Sequence, residues 1–261
     1  MCTLVILRRP DNAWPVVIGA NRDEMIDRPA LPPGRHWPDR TEVVGGLDLL
    51  AGGSWLGVND WGVAAAVLNR HGSLGPAAGI RSRGELVLEA LDHADAVDAA
   101  AALSHLDPAA YRSFNLIVAD NRDAFWVRHD GTGRIVAHPL DEGLSVIAAG
   151  DINELTTPRL ALARPRFRAA PAPDPDREEW TAWQDLLGDD NGVPPGLPES
   201  SPETSPGAAA EAAMRFRTAR GFATVSSALI ALPAEPSDDR RTVFRFAGWL
   251  PEPSPWRNVS G

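Results

Sequence analysis

Apolar and polar positions alternate between strand-like and helix-like spacing along this chain. Cys2 to Leu7 and Val16 to Ala20 are short apolar runs separated by RRPDNAW, a Pro-Asp-Asn turn signal, and together they predict a hairpin. A second hairpin is predicted over Gly52 to Arg70, turning at NDWG. From Arg81 to Leu106 the spacing becomes helical. Ser82 is placed to cap a first helix with Glu85 three residues on, and Asp92 to Ala94 separates it from an alanine-rich second. Strands return at FNLIVAD (Phe114 to Asp120), AFWVRHDG (Ala124 to Gly131), RIVAHPL and LSVIAAG. Helices are predicted over Thr157 to Phe167, through REEWTAWQDLLG, and over Ala208 to Ala219. FATVSSALIALP and RTVFRFAGW then close the chain as an antiparallel pair.

Several strand runs are apolar on both faces, which requires cover on both sides. The predicted class is α+β, with two antiparallel sheets stacked and flanked by helices in a four-layer αββα sandwich. Residues 1–261 are expected to form one domain. Its Pro/Ser-rich stretch at about 190–207, within GVPPGLPESSPETSPG, reads as a surface insertion.

Charge and residue usage narrow the function. The formal net charge is −10, the wrong sign for a nucleic-acid partner. All 25 basic residues are arginine, so no lysine can form a Schiff base or act as a base. The α-amino group, with a pKa of about 7.7–8.0, is then the amine that can be neutral near pH 7. The single cysteine allows no intramolecular disulfide and no multi-cysteine zinc site. Leu4 to Leu7 is too short for a signal core, and no run reaches the roughly 18–20 apolar residues of a membrane span. A soluble, cytoplasmic protein is expected.

That cysteine stands at position 2. Pairing the first two strands across their turn sets Cys2 opposite about Asn21, beside the polar run ANRDE (Ala20 to Glu24). Removal of Met1 would leave a free α-amine on Cys2, so that one residue carries nucleophile and base. Arg22 would favour the thiolate, and Asp23 would orient the amine or the arginine. The plainer alternatives are an inert buried cysteine and a solvated turn. Oxyanion donors are sought among Asn69, Asn153 and, more weakly, Asn115. His71 is the histidine nearest this region in sequence, and the six histidines show no zinc spacing. Trp55, Trp61 and Trp126 read as core or as the lining of a cleft. No Walker loop, dinucleotide fingerprint or G-x-S-x-G elbow is present.

MCT, ANRDE followed by Arg28-Pro29, GGSWLGVNDWG, SRGEL, FNLIVAD, LTTPR and TVSSALIAL occur in an order that resembles the NRDE family, which includes the transport and Golgi organisation proteins. The resemblance implies an N-terminal-nucleophile hydrolase fold, distantly similar to the choloylglycine and penicillin V acylases. It further implies Cys2 as nucleophile, Asp23 as the aspartate after the second strand, and Asn69 and Asn153 as the two asparagines of the site. Where those acylases carry an arginine before that aspartate, this chain has Ala20 or Asn21 by position, with Arg22 displaced. Class II glutamine amidotransferases also begin Met-Cys, but continue Gly-Ile where this chain has Thr3-Leu4. Two functions follow as expectations. One is hydrolysis of a small acyl or amide substrate without a cofactor or metal: Cys2, Arg22, Asp23, Asn69 and Asn153 are catalytic, and Asn21, Trp55, His71 and Asn115 contact the substrate. The other is binding of haem or another apolar ligand in the same cleft, with Cys2 or His71 as a haem ligand.

Overall fold

The computed structural model describes residues 2–75, 77–192, 212–237 and 240–259. Alternation in the first hairpin already separates two layers. In β1 (Thr3–Arg8) and β2 (Val16–Met25), Leu4, Ile6, Val16 and Ile18 enter one apolar cluster, while Val5 and Val17 enter another. A strand with apolar side chains on both faces is covered on both faces, and two sheets and two helical layers provide the cover.

The first sheet has the order β10-β1-β2-β11-β12-β13, with β10 at Gly143–Ile147, β11 at Phe222–Leu232, β12 at Val243–Gly248 and β13 at Arg257–Asn258. The second runs β3-β4-β5-β6-β7-β8-β9. Its strands are β3 (Ala30–Gly34), β4 (Val43–Asp48), β5 (Leu56–Asn59), β6 (Ala64–Asn69), β7 (Phe114–Ala119), β8 (Ala124–His129) and β9 (Ile135–Pro139). Every pairing between these strands is antiparallel. Leu4, Ile18 and Ile230 of the first sheet meet Leu56, Ala66 and Ile117 of the second in a shared core. Helices α1 (Gly84–Leu91) and α2 (Ala96–Ser104) cover the outer face of the second sheet. Helices α3 (Pro158–Ala169) and α4 (Thr181–Gly188) cover the first, with Trp180 and Trp183 buried beneath them. The fold is the predicted α+β sandwich. No described helix is long and apolar enough to cross a membrane.

Several expectations change in detail. β2 continues through the ANRDE run to Met25, because β11 pairs with it along its length as far as Phe222. The run is therefore buried strand, not solvated turn. The hairpin register differs by one residue: Thr3 pairs with Asn21 and Leu4 with Ala20, since the turn centres on Asn12. β3 and β4 were not predicted. β3 holds Pro32 and Pro33, tolerated because it is an edge strand where a missing N–H is harmless. Ser82 Oγ accepts from the Gly84 N–H at the start of α1 at 3.2 Å, as expected of a cap, although Arg83 is the N-cap residue; Glu85 pairs with Arg81 instead of reaching back. The helix predicted from Ala208 lies outside the described residues up to 211, and residues 213–219 are not helical. From residue 193 onward the Pro/Ser-rich insertion is also outside the described residues.

Candidate active site

Cys2 immediately precedes β1, an interior strand held between β10 and β2. Its sulfur extends the β1–β2 ladder. The Asp23 backbone N–H donates to Sγ at 3.4 Å, and Sγ donates to the Asp23 carbonyl at 3.6 Å. The side chain packs at the edge of the core between the sheets. It lines a cleft of about 540 Å³, a volume suited to a small-molecule ligand. Behind it lies a second cavity of about 20 Å³, lined by Leu4, Ala20 and Leu68, which has room for about one water.

The residue keeps some solvent contact, yet burial around the sulfur pushes the thiol pKa up, and the negative Asp23 pushes the same way. Arg22 opposes this only weakly. Arg22 acts in the expected direction, towards the thiolate, but burial and Asp23 outweigh it and the thiol pKa stays raised. Its guanidinium lies over the Trp55 ring, 4.2 Å from the centroid. Trp55 can lie there because position 46 is glycine; a Cβ at Gly46 would stand 2.2 Å from the ring.

The two-residue period of β2 divides the polar run between layers. Arg22 shares the inter-sheet side with Cys2, while Asn21 and Asp23 face the helices. The Asp23 carboxylate, fully buried, accepts from Arg159 Nη1 of α3 at 2.8 Å and from Thr224 Oγ1 of β11 at 2.7 Å. Arg159 Nη1 also donates to Thr3 Oγ1 at 3.5 Å, and its guanidinium lies 4.5 Å from the Phe216 ring centroid. Asp23 thus reaches the cleft wall through its backbone and reaches α3 through its carboxylate.

Asn69, the last residue of β6, lines the Cys2 cleft, and its side-chain amide has no hydrogen bond among the described residues. The other candidates are placed differently. Asn21 donates to the carbonyls of Leu187 and Met214 and accepts from Ser227, so its amide ties β2 to α4. Asn115 is buried and holds Arg70, Trp126 Nε1 and the carbonyls of Ala148 and Gly150. Asn153, at a left-handed φ of 59°, clasps β10 by accepting from Val146 N–H and donating to Ser145 Oγ. His71 is exposed, with its backbone bonded to Ala149. None of Asn115, Asn153 or His71 lines the cleft. Trp126 is core, and Trp61 is 54% exposed, not cleft lining.

Three residues that bear on the site had no assigned role in the sequence reading: Arg159, Thr224 and Arg83. Arg159 lay inside LTTPR and Arg83 inside SRGEL, so the motifs marked the places without the partners. Arg83 reaches the cleft because Gly53 and Gly84 let the β4–β5 connection touch the start of α1. Ser54 N–H donates to the Gly84 carbonyl at 3.0 Å, and a Cβ on Gly53 would stand 2.4 Å from Gly84 C.

Solved structures share this architecture. A Caenorhabditis elegans N-acylethanolamine-hydrolyzing acid amidase ortholog superposes with a TM-score of 0.57 at 14% identity, covering 92% of this chain and 98% of that one. The C2A mutant of conjugated bile acid hydrolase from Clostridium perfringens gives 0.54 at 12% identity, covering 100% and 92%. At such identities the likeness shows the fold alone, the α+β sandwich of two antiparallel sheets flanked by helices. In sequence, the Transport and Golgi organization protein 2 homolog of Bos taurus is 38% identical over 123 residues, and the human homolog is 36% identical over 118. Each match covers 42% of this chain and 40% of the relative, so the chain spans about two fifths of the length of these curated relatives. The family model for Transport and Golgi organisation 2 matches residues 1–230, and the chain belongs to that family.

Proposed function

We propose that the protein is an N-terminal-nucleophile hydrolase that cleaves an amide or acyl bond of a small substrate, with Cys2 as nucleophile after Met1 is removed. The observation that carries this reading is the Cys2 sulfur on the wall of a ligand-sized cleft that the unengaged Asn69 amide also lines. The hydrolase-like fold supports it.

The chemistry starts from the neutral thiol that burial enforces. As sulfur bonds to the substrate carbonyl carbon, the thiol proton passes to the Cys2 α-amine, and the carbonyl oxygen takes negative charge beside Asn69 Nδ2. Collapse breaks the C–N bond, and the proton returns to the departing amine. The resulting thioester is attacked by water, whose proton is taken by the same α-amine. The acid leaves and the thiol is restored. Asp23, locked by Arg159 and Thr224, holds the start of β1 and the terminus in place.

Haem fits the cleft poorly. His71 lies outside it, no histidine lines it among the described residues, and the Cys2 thiol is protonated and engaged with the Asp23 backbone. An apolar ligand remains the alternative occupant.

The test is acid-quenched intact mass after mixing the protein with a short-chain acyl p-nitroanilide. The expected result is a chain lacking Met1 that carries one acyl group on Cys2 and releases p-nitroaniline. Turnover by a chain that retains Met1, or turnover surviving Cys2→Ala, would overturn the reading.

A further inference from the structure

Among the described residues, five arginines line the cleft: Arg22, Arg28, Arg81, Arg83 and Arg112. Two are neutralised. Arg28 pairs with Asp48 at 2.7 Å and with Glu24 at 3.7 Å, and Arg81 pairs with Glu85 and Glu89 at 2.7 and 2.9 Å. Asp23, the remaining acid on the wall, directs its carboxylate to Arg159 on the other face of the sheet. Arg22, Arg83 and Arg112 have no carboxylate partner among the described residues. Arg22 is stacked on Trp55, and Arg112 is spread over the carbonyls of Gly72, Leu74 and Gly75.

Arg83 differs from both. Nη1 alone makes its hydrogen bonds, to Ser73 Oγ at 2.7 Å and to the Ser113 carbonyl at 3.1 Å. The Nε–Nη2 edge, the fork that receives a carboxylate or phosphate side-on, has no partner among the described residues. Ser73 and Ser113 fix the guanidinium from behind, so little ordering is left to be done when an anion arrives. Burial and the neighbouring Arg112 lower the Arg83 pKa to about 10, as befits a cation held without its counter-charge, and the Cys2 sulfur is near enough to act on it electrostatically. In a chain of net charge −10, with acids to spare, a half-buried cation left open towards the cleft marks the place of an external anion.

We propose that Arg83, backed by Arg112, forms an anion subsite of the Cys2 cleft that recognises a carboxylate or phosphate-type group on the molecule bound there. That the bound molecule is also cleaved rests on the hydrolase reading; its binding does not. The cleft then takes a molecule with an anionic head at the start of α1 and a carbonyl at Cys2. Met25, Leu74 and Phe222 leave apolar wall for the rest of it.

Three matched p-nitroanilides test this, with ω-carboxypentanoyl, ω-phosphonopentanoyl and neutral ω-carbamoylpentanoyl chains. Affinities are measured by calorimetry on the Cys2→Ala protein, alone and combined with Arg83→Gln or Arg83→Lys, and turnover is measured on the native chain. One anionic probe should bind about ten- to a hundredfold tighter than the neutral one. Arg83→Gln should bring that ratio close to one, and Arg83→Lys should keep part of it. Which anion wins tells a carboxylate site from a phosphate site. Equal affinity for all three probes, or a preference unchanged in a folded Arg83→Gln protein, overturns the subsite. Should Arg83→Gln not fold, a reduced preference in Arg83→Lys supports the fork, and full retention overturns it. An Arg83-dependent preference without p-nitroaniline release removes the hydrolase reading and leaves the subsite standing; release without preference does the reverse.

Discussion

Replacing Arg159 with methionine removes the guanidinium that faces Asp23 while leaving most of the side-chain volume. The Asp23 side chain is 0% exposed and that of Arg159 is 11% exposed. The pair therefore belongs with buried ion pairs, not with surface pairs worth about 0–1 kcal/mol. Loss of one partner from a buried pair strands the other charge away from water and costs about 3–5 kcal/mol. At roughly 2–4 °C per kcal/mol for chains near this size, the melting temperature should fall by about 6–20 °C. Asp23→Asn combined with Arg159→Met should recover much of this, because a neutral amide needs no counter-charge and can still accept from Thr224 Oγ1. The assay is thermal unfolding of the two single variants and the double variant, read as a double-mutant cycle with a coupling of at least about 2 kcal/mol. A loss for Arg159→Met below about 0.5 kcal/mol, or additivity within about 0.5 kcal/mol, would refute the argument.

Other outcomes follow from the same geometry. The buried thiol should react with iodoacetamide along a pH profile whose midpoint lies above 9.0; a midpoint at or below about 8.5 would contradict its desolvation. Because the unfolded chain loses this proton first, the thiol's contribution to stability is complete below the unfolded value. It is lost as pH rises from there through the higher folded value, which urea titrations at alkaline pH can follow against a Cys2→Ala control. Gly46→Ala should lower stability by about 1–3 kcal/mol through its clash with the Trp55 ring, and tryptophan fluorescence should report the displaced indole. Asn69→Ala should lower kcat about 10²–10³-fold if its amide receives the oxyanion. Asn153→Ala should act mainly on stability, by about 1 kcal/mol, because its amide serves β10; equal kinetic losses in the two variants would reverse these roles.

The layers of the sandwich were legible because they follow from strand runs such as Val16 to Ile18 and Leu229 to Leu232, whose faces are both apolar. The pairing of Cys2 with the ANRDE region was legible because hairpin geometry is local, and it erred by the one residue that turn shape controls. What escaped was long-range. Arg159 is 136 residues from the aspartate it neutralises, and Thr224 is 201 residues away. No periodicity spans such separations. Asparagine identity also misled: a turn, a buried bridge and an open cleft amide call for the same side chain, and only packing shows that Asn153, Asn115 and Asn69 meet these needs respectively. β3 escaped because its prolines argue against a strand unless its edge position is known.

The one-residue alternation along β2 makes the surface turn from Arg9 to Pro15 a determinant of chemistry. One residue added or removed there, with β1 kept in place, would slide β2 by a single position relative to Cys2. Asn21 or Asp23 would then come to lie beside the sulfur where Arg22 now lies, and a backbone that already touches the thiol would present a different amide. The ten pairings between β2 and β11 resist that slide from the other side. Turn length here is therefore constrained in a way surface loops usually escape, and insertions should be tolerated elsewhere on the surface more readily than at the bend nearest the first strand.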